Sequence, residues 1–303
     1  MKKLDIIGAS TSFGQPKLGV DLGPDAIRYA GLSKTLSDLG YDINDKGNIS
    51  GDFKVDVAGH SKKEESNLLN FEGVLNFNEH LAKSVDESIT AGHFPLVLGG
   101  DHSLAIGSLA GISSHYENLG VIWYDAHGDL NDSHTSPSGN IHGMPLAASC
   151  GVGHERMVNL YNDGVKVKPE NVVLVGMRDL DEGEKKYIKD NNILTFTMVD
   201  IREKGIKAVM EEAVSYLKDK TDGIHLSLDV DALDPVETPG TGTPVDGGLS
   251  LSETQLAMRI LNKSERITSM DLVEVNPLLD EKNKTAEKAV EIAAHLFGKV
   301  QRY

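Results

Sequence analysis

The sequence predicts an α/β fold with a central parallel sheet covered on both faces. Three observations carry that expectation. Short, nearly continuous apolar runs alternate with amphipathic stretches of helical period along the 303 residues, as strands joined by crossover helices do. The segments rich in Gly, Asp, Asn and Pro come directly after apolar runs, at the carboxyl ends of the predicted strands, where open parallel sheets bind ligands. No internal repeat, low-complexity stretch or composition break divides the chain, so residues 1–303 are expected to form a single domain.

The first strand is predicted at 4–8, with a polar, glycine-containing loop over 9–23 at its end. Pro24 and Asp25 suit a helix start, Ile27, Ala30, Leu36 and Leu39 give that helix an apolar stripe, and Gly40 ends it. Residues 44–66 are polar and take no assignment. A helix over 72–92, through Val74, Leu81, Val85 and Ile89, leads into a strand at 94–98 and the segment GGDHS. Residues 104–115 read as helix and 120–124 as strand. The loop 131–143 is too long for a plain turn, and long loops at strand ends tend to hold ligands. Further strands are predicted at 172–176, 193–197, 224–228 and 267–275. An amphipathic helix is predicted at 206–217, a loop dense in Gly, Pro and Thr at 238–248 and a closing helix at 285–300.

With 46 acidic against 30 basic residues the net charge is −16. That disfavours nucleic acid and anionic membranes as partners and favours cations, whether metal ions or a cationic substrate. No apolar run approaches the ~20 residues of a membrane span. The single cysteine, Cys150, excludes an intramolecular disulfide, and the start MKKLDIIGAS lacks the apolar core of a signal peptide, so a cytoplasmic protein is expected. Cys150 itself, in PLAASCG, reads as a small buried residue, with no charged neighbour to activate it.

The chemistry concentrates at three strand ends. Asp125-Ala126-His127-Gly128-Asp129 follows the apolar run 119–124. In an extended strand alternate side chains share a face, so Asp125, His127 and Asp129 are expected to point the same way. Asp229-Val230-Asp231 repeats the spacing after 224–228, and His102 follows 94–98. Singly each piece is weak, because Asp caps helices and Gly-Gly turns chains. Together they gather four carboxylates and two imidazoles, too many charges to bury without a cation. Hard oxygen with some nitrogen and no thiolate favours Mn²⁺, although zinc, cobalt or iron could bind the same groups. Six donors suit two ions, and a pair ~3.5–4 Å apart acidifies water for hydrolysis. Asp101 and Asp234 lack the alternation and are expected to cap turns or to support ligands from behind.

Read together, GGDHS, YDAHGDLN, SPSGNIHGMP, SLDVDALDP, ETPGTGTPV and DLVEVNP resemble the ureohydrolases, most closely the arginases, over nearly the whole chain. The resemblance implies a three-layer α/β sandwich, two manganese ions per subunit and a homo-oligomer, trimer or hexamer. It implies hydrolysis of L-arginine to L-ornithine and urea, by attack of a hydroxide bridging the two ions on the guanidinium carbon. One manganese would be held by His102, Asp125, Asp129 and Asp229, the other by Asp125, His127, Asp229 and Asp231. His142, in SGNIHG, matches the family's proton shuttle. Glu274, in LVEVNP, matches the carboxylate that pairs with the guanidinium, a group whose paired N–H donors suit it.

The resemblance also reaches the substrate's other end. Asn131, Ser138 and Asn140 match positions that contact the α-carboxylate, directly or through water. Asp181 and Glu184 match positions near the α-amino group, and Thr243 a residue lining the metal pocket. On residue type alone, Asn131 and Asn140 also suit turns, and Asp181 and Glu184 a helix start. His134 and Pro137 depart from the family pattern, in the loop that would set selectivity. Rival readings are another ureohydrolase, acting on agmatine, formiminoglutamate or a guanidino acid, and a silent member that binds arginine or metal. A nucleotide-binding domain on Gly99-Gly100 is disfavoured, since the chain has neither GxxxxGK nor a strand-turn-helix GxGxxG.

Overall fold

The computed structural model describes residues 2–51 and 67–300. Its strands are β1 (Lys3–Ala9), β2 (Asp42–Asn48), β3 (Phe94–Gly99), β4 (Leu119–Tyr124), β5 (Val172–Met177), β6 (Leu194–Thr197), β7 (Gly223–Asp229) and β8 (Ile267–Val273). They form one sheet in the order β2-β1-β3-β8-β7-β4-β5-β6, with every neighbouring pair parallel.

Between the strands run α1 (Gly23–Tyr29), α2 (Leu32–Asp38), α3 (Phe71–Thr90), α4 (Ala105–Ser113), α5 (Pro145–Ser149) and α6 (Glu155–Val158). The second half adds α7 (Glu182–Asp190), α8 (Met198–Lys204), α9 (Ile206–Lys218), α10 (Leu251–Ser264) and α11 (Lys284–Leu296). None of these is long and apolar enough to cross a membrane.

Alternate residues of the inner strands feed opposite cores. Ile122 and Tyr124 of β4 and Val173 and Val175 of β5 join one apolar cluster, with side chains from α1, α2 and α8 to α11. Val121, Trp123, Val172 and Leu174 join the other, with α3 to α6. The sheet is thus the middle of three layers, as expected. A strand buried on both faces favours apolar residues at every position, which is why β4 and β5 stand out as continuous runs, while β7 and β8 also bury His225, Ser227, Ser269 and Asp271. Cys150 is buried in the second core, and burial pushes its thiol up to about 12.

Helices α5, α6 and α8 were not expected, and four further differences have a local reason. The helix expected from Pro24 to Gly40 is two helices, broken at Gly31, whose φ of 92° lies in the left-handed region. β2 is an edge strand, DINDKGN, largely exposed on both faces, so it carries no apolar alternation to read. α10 opens with a reciprocal Ser250–Glu253 capping box, the Ser-x-x-Glu signature that marks its start. β8 ends at Val273 because Glu274 turns to φ 65°. Of the unassigned stretch 44–66, residues 52–66 lie outside the described residues.

Candidate metal centre

Strands β3, β8, β7 and β4 are neighbours in the sheet, so the segments after them meet above its centre. The segment after β3 brings His102, that after β4 Asp125, His127 and Asp129, the end of β7 Asp229 and Asp231, and the end of β8 Glu274. Gly100 lets this happen at close quarters, since a Cβ there would sit 2.4 Å from the Thr11 carbonyl oxygen.

The alternation expected of an extended strand is corrected here. β4 stops at Tyr124, and Asp129 adopts φ 50°. Asp125 Oδ1 accepts the His127 N–H at 2.7 Å, and Asp229 Oδ1 accepts the Asp231 N–H at the same distance. Both pairs are therefore held by side-chain-closed turns, which fold the donors of one short segment inward. The i, i+2 spacing matters because an aspartate closes such a turn two residues on.

The donors fall into two overlapping sets, His102 with Asp125 and Asp129, and Asp125 with His127 and Asp231, each with its donor atoms within 4.8 Å of one another. His102 Nδ1 lies 3.1 Å from Asp125 Oδ2, 3.1 Å from Asp129 Oδ2 and 3.5 Å from Asp229 Oδ2. His127 Nδ1 lies 3.1 Å from Asp231 Oδ2 and 3.5 Å from Asp125 Oδ1. Ligands at right angles around an ion ~2.2 Å away stand about 3 Å apart, so the spacing fits a shared cation.

The electrostatics agree. Burial and repulsion from Asp231 and Asp125 push the Asp229 carboxyl well above its ordinary range, and burial and Asp125 push Asp231 up to about 6. Burial opposes charge on the imidazoles too, but the carboxylates outweigh it and raise both His102 and His127. Among the described residues, buried His102 Nδ1 and Asp125 Oδ2 have no hydrogen-bond partner. A site with this excess of buried acid, and unpartnered donors aimed at one point, fits a divalent metal.

Supporting contacts fix the donors. His102 stacks on Trp123, and its Nε2 meets Ser227 Oγ at 2.8 Å. Thr243 donates to Asp231 Oδ2 at 3.1 Å. Arg178 spreads its guanidinium over the carbonyl oxygens of Gly176, Asp231, Ala232, Leu233 and Val245. Asp101 accepts the N–H groups of Ser103 and Gly14 and Asp234 those of Val236 and Gly247, the capping roles expected of them.

Above the donors opens a cavity of about 150 Å³ whose wall includes His102, His127, Asp129 and Asp229. The structure brings Asn131, Ser138, Asn140, His142, Asp181, Glu184 and Thr243 to the same wall, together with Ser136, Pro137 and Asp179. Asp181 and Glu184 also form the capping box of α7, so their two readings coexist. Asn131 donates to Asp181 Oδ2 at 2.8 Å, and burial pushes the Glu184 carboxyl up to about 7. Glu274 stands behind this wall, 1% exposed, with Oε1 3.4 Å from His142 Nδ1.

Sequence reasoning passed over Gln15, Ser227, Arg178 and Asp179. Ser227 stands one strand period before Asp229, on its face, and Asp179 stands two residues before Asp181; those placements were the available signals. Gln15 had none, because its contact spans 259 residues.

A model of the arginase family matches residues 2–298. The arginase of Staphylococcus aureus (strain MSSA476) is 58% identical over 300 residues, covering 98% of this chain and 97% of that protein. Among solved structures, the native arginase of Bacillus caldovelox superposes with a TM-score of 0.95 at 53% identity, covering all of both chains. The arginase of Entamoeba histolytica in complex with L-ornithine superposes at 0.89 with 33% identity, covering 99% of each. A full-length family match, close relatives and a matching sheet coincide with the cation-binding geometry, and the chain belongs to the arginase family of metal-dependent hydrolases.

Proposed function

We propose that the protein hydrolyses the guanidino group of L-arginine to give L-ornithine and urea, with two Mn²⁺ bound per chain. The observation that carries this reading is the single cavity in which the donor cluster meets groups suited to an amino-acid head. Asn131, Ser138 and Asn140 offer hydrogen bonds to an α-carboxylate, and Asp181 and Glu184 offer acceptors to an α-ammonium, on the same wall as His102 and His127. The relative from Entamoeba histolytica was solved with L-ornithine, the product expected here.

His102, Asp125, Asp129 and Asp229 would hold one ion, and Asp125, His127, Asp229 and Asp231 the other. The chemistry the ions supply when bound is Lewis acidity, which brings the pKa of a water towards 7. The remaining work falls to the chain. The amino-acid head, gripped by Asn131, Ser138, Asn140, Asp181 and Glu184, fixes how far the guanidinium reaches towards the donors. Glu274 supplies negative charge opposite the guanidinium and orients His142 through its Nδ1. His142 Nε2 then hands a proton to the departing amine, a step without which that amine is a poor leaving group. The same reading takes 1–303 as one domain, acting in the cytoplasm as a homo-oligomer of three or six copies, with no nucleic-acid or membrane partner.

The test is urea release by manganese-loaded protein offered L-arginine, agmatine and 4-guanidinobutyrate in parallel. Preference for L-arginine supports the reading. Preference for a substrate lacking the carboxylate or the amine keeps hydrolysis and overturns the assignment of the wall, and no urea from any of them overturns the function.

A further inference from the structure

We propose that Gln15 is a positioning residue for this reaction, holding Glu274 and His142 in the orientation from which they act. The proposal rests on the assignment of His142 as the proton donor. Glu274 is 1% exposed, so each of its carboxylate oxygens must find a donor within the protein. Oε1 accepts the His102 N–H at 2.9 Å and faces His142 Nδ1 at 3.4 Å. Oε2 accepts one hydrogen bond among the described residues, from Gln15 Nε2 at 2.7 Å. The Glu274 backbone is fixed, its N–H donating to the Gly100 carbonyl at 3.0 Å. The terminal torsion of a glutamate is broad, however, and does not set the carboxylate plane unaided. The Gln15 amide supplies the second point that sets it.

The partner histidine is tied to the same two residues. His142 donates its backbone N–H to the Gly14 carbonyl at 3.1 Å. Residues 14 and 15 therefore clamp both halves of the His142–Glu274 contact, one by backbone and one by side chain. Their loop is itself pinned, since Gly14 N–H donates to Asp101 Oδ2 at 3.0 Å, Lys17 Nζ donates to the Gly242 carbonyl, and Asn276 Nδ2 donates to the Leu18 carbonyl at 3.0 Å. Gln15 is 2% exposed, so its contact with Glu274 is shielded from bulk solvent. Its neutrality matters as well. A lysine or arginine there would cancel the charge of Glu274, whereas an amide orients the carboxylate and leaves that charge for the imidazole and a cationic substrate.

Gln15→Met keeps the length of the side chain and removes the donor. The expected result is a loss of kcat of ~10-fold or more, a KM within ~3-fold of wild type and an unchanged manganese content, because the interaction acts on the step and not on the hold. Made again in a His142→Ala background, the substitution should cost clearly less than in the wild type, since only the orientation of Glu274 towards the guanidinium is then left to lose. Unchanged kcat in Gln15→Met, or the same penalty in both backgrounds, overturns the proposal. If Gln15→Met does not yield folded protein, Gln15→Asn takes its place, with a donor that falls short of Oε2 and the same expected split. Failure of the functional reading shows separately, as absence of arginine hydrolysis in the wild type or no effect of His142→Ala.

Discussion

His102 and Trp123 stack face to face, with ring centroids 4.2 Å apart and planes 7° from parallel. Trp123 is fully buried in the core formed with α3 to α6. The stack ties the plane of a donor imidazole to the packing of the whole sheet face, and Ser227 on Nε2 fixes the rotation that remains, so that Nδ1 faces the carboxylates. Trp123→Ala should lower stability by about 3–5 kcal/mol, read from urea unfolding. Ser227→Ala should leave the fold nearly intact and weaken manganese binding by ~10–100-fold. Equal manganese affinity in Ser227→Ala and wild type would falsify the orienting role of this hydroxyl.

The ligand and proton-transfer assignments separate on metal content. Asp231 lies within 3.1 Å of His127 Nδ1 inside a donor set, whereas His142 touches Glu274. Asp231→Ala should therefore lose bound manganese. His142→Ala should retain it and lose ~10²–10⁴-fold in turnover. Elemental analysis of both variants after dialysis decides the matter, and metal loss in His142→Ala with retention in Asp231→Ala would reverse the two roles.

Much of this architecture was legible in the sequence, for reasons that individual residues show. Strands Leu119–Tyr124 and Val172–Met177 are buried at every position and so present unbroken apolar runs. Four of the six expected donors were legible because closing a turn with an aspartate demands an i, i+2 partner, which leaves Asp125–His127 and Asp229–Asp231 as visible pairs. Strand alternation was the wrong mechanism for gathering these residues, and Asp129, at φ 50°, shows why: the chain is turning where a strand was expected. What escaped was either exposed or remote. β2 meets solvent on both faces and is held by backbone pairing to β1, which no side-chain pattern records. Gln15 and Arg178 act on partners 259 and up to 67 residues away, and polar residues with distant partners look like any surface residue in a sequence.

Asp5 should set part of the acid stability of the fold. Burial pushes its carboxyl up, but hydrogen bonds from Ser88, Asn44 and His93 outweigh burial and hold it below its ordinary 3.8. A carboxylate whose folded pKa is depressed binds fewer protons in the native state. Its stabilisation is present above pH ~4 and is lost as the pH falls through the folded value. Asp5→Asn should make the protein less stable at neutral pH and flatten the acid limb of its unfolding curve. An acid limb as steep as wild type's would mean that other carboxylates carry it.

Cys150 should be chemically silent in the folded protein. Its thiol, pushed up to about 12 by burial, holds its proton throughout the neutral range, and the thiolate is the reactive form. A thiol reagent at neutral pH should label the protein only in denaturant. Rapid labelling of the native state would place the cysteine in a more accessible setting than the core beside Tyr187.

Arg178 should prove indispensable through its shape more than its charge. Its nitrogens donate to Gly176 at the end of β5, to Asp231, Ala232 and Leu233 beyond β7, and to Val245 in the loop that carries Thr243. One planar group thus joins three segments, one of which bears the candidate metal donor Asp231. A lysine keeps the charge but cannot span five acceptors, and each buried carbonyl left bare costs about 1–3 kcal/mol. Arg178→Lys should therefore lower the urea midpoint clearly and weaken manganese binding, because the turn closed by Asp229 and Asp231 loses its backing. If charge alone were at work, Arg178→Lys would match the wild type and only Arg178→Gln would fail.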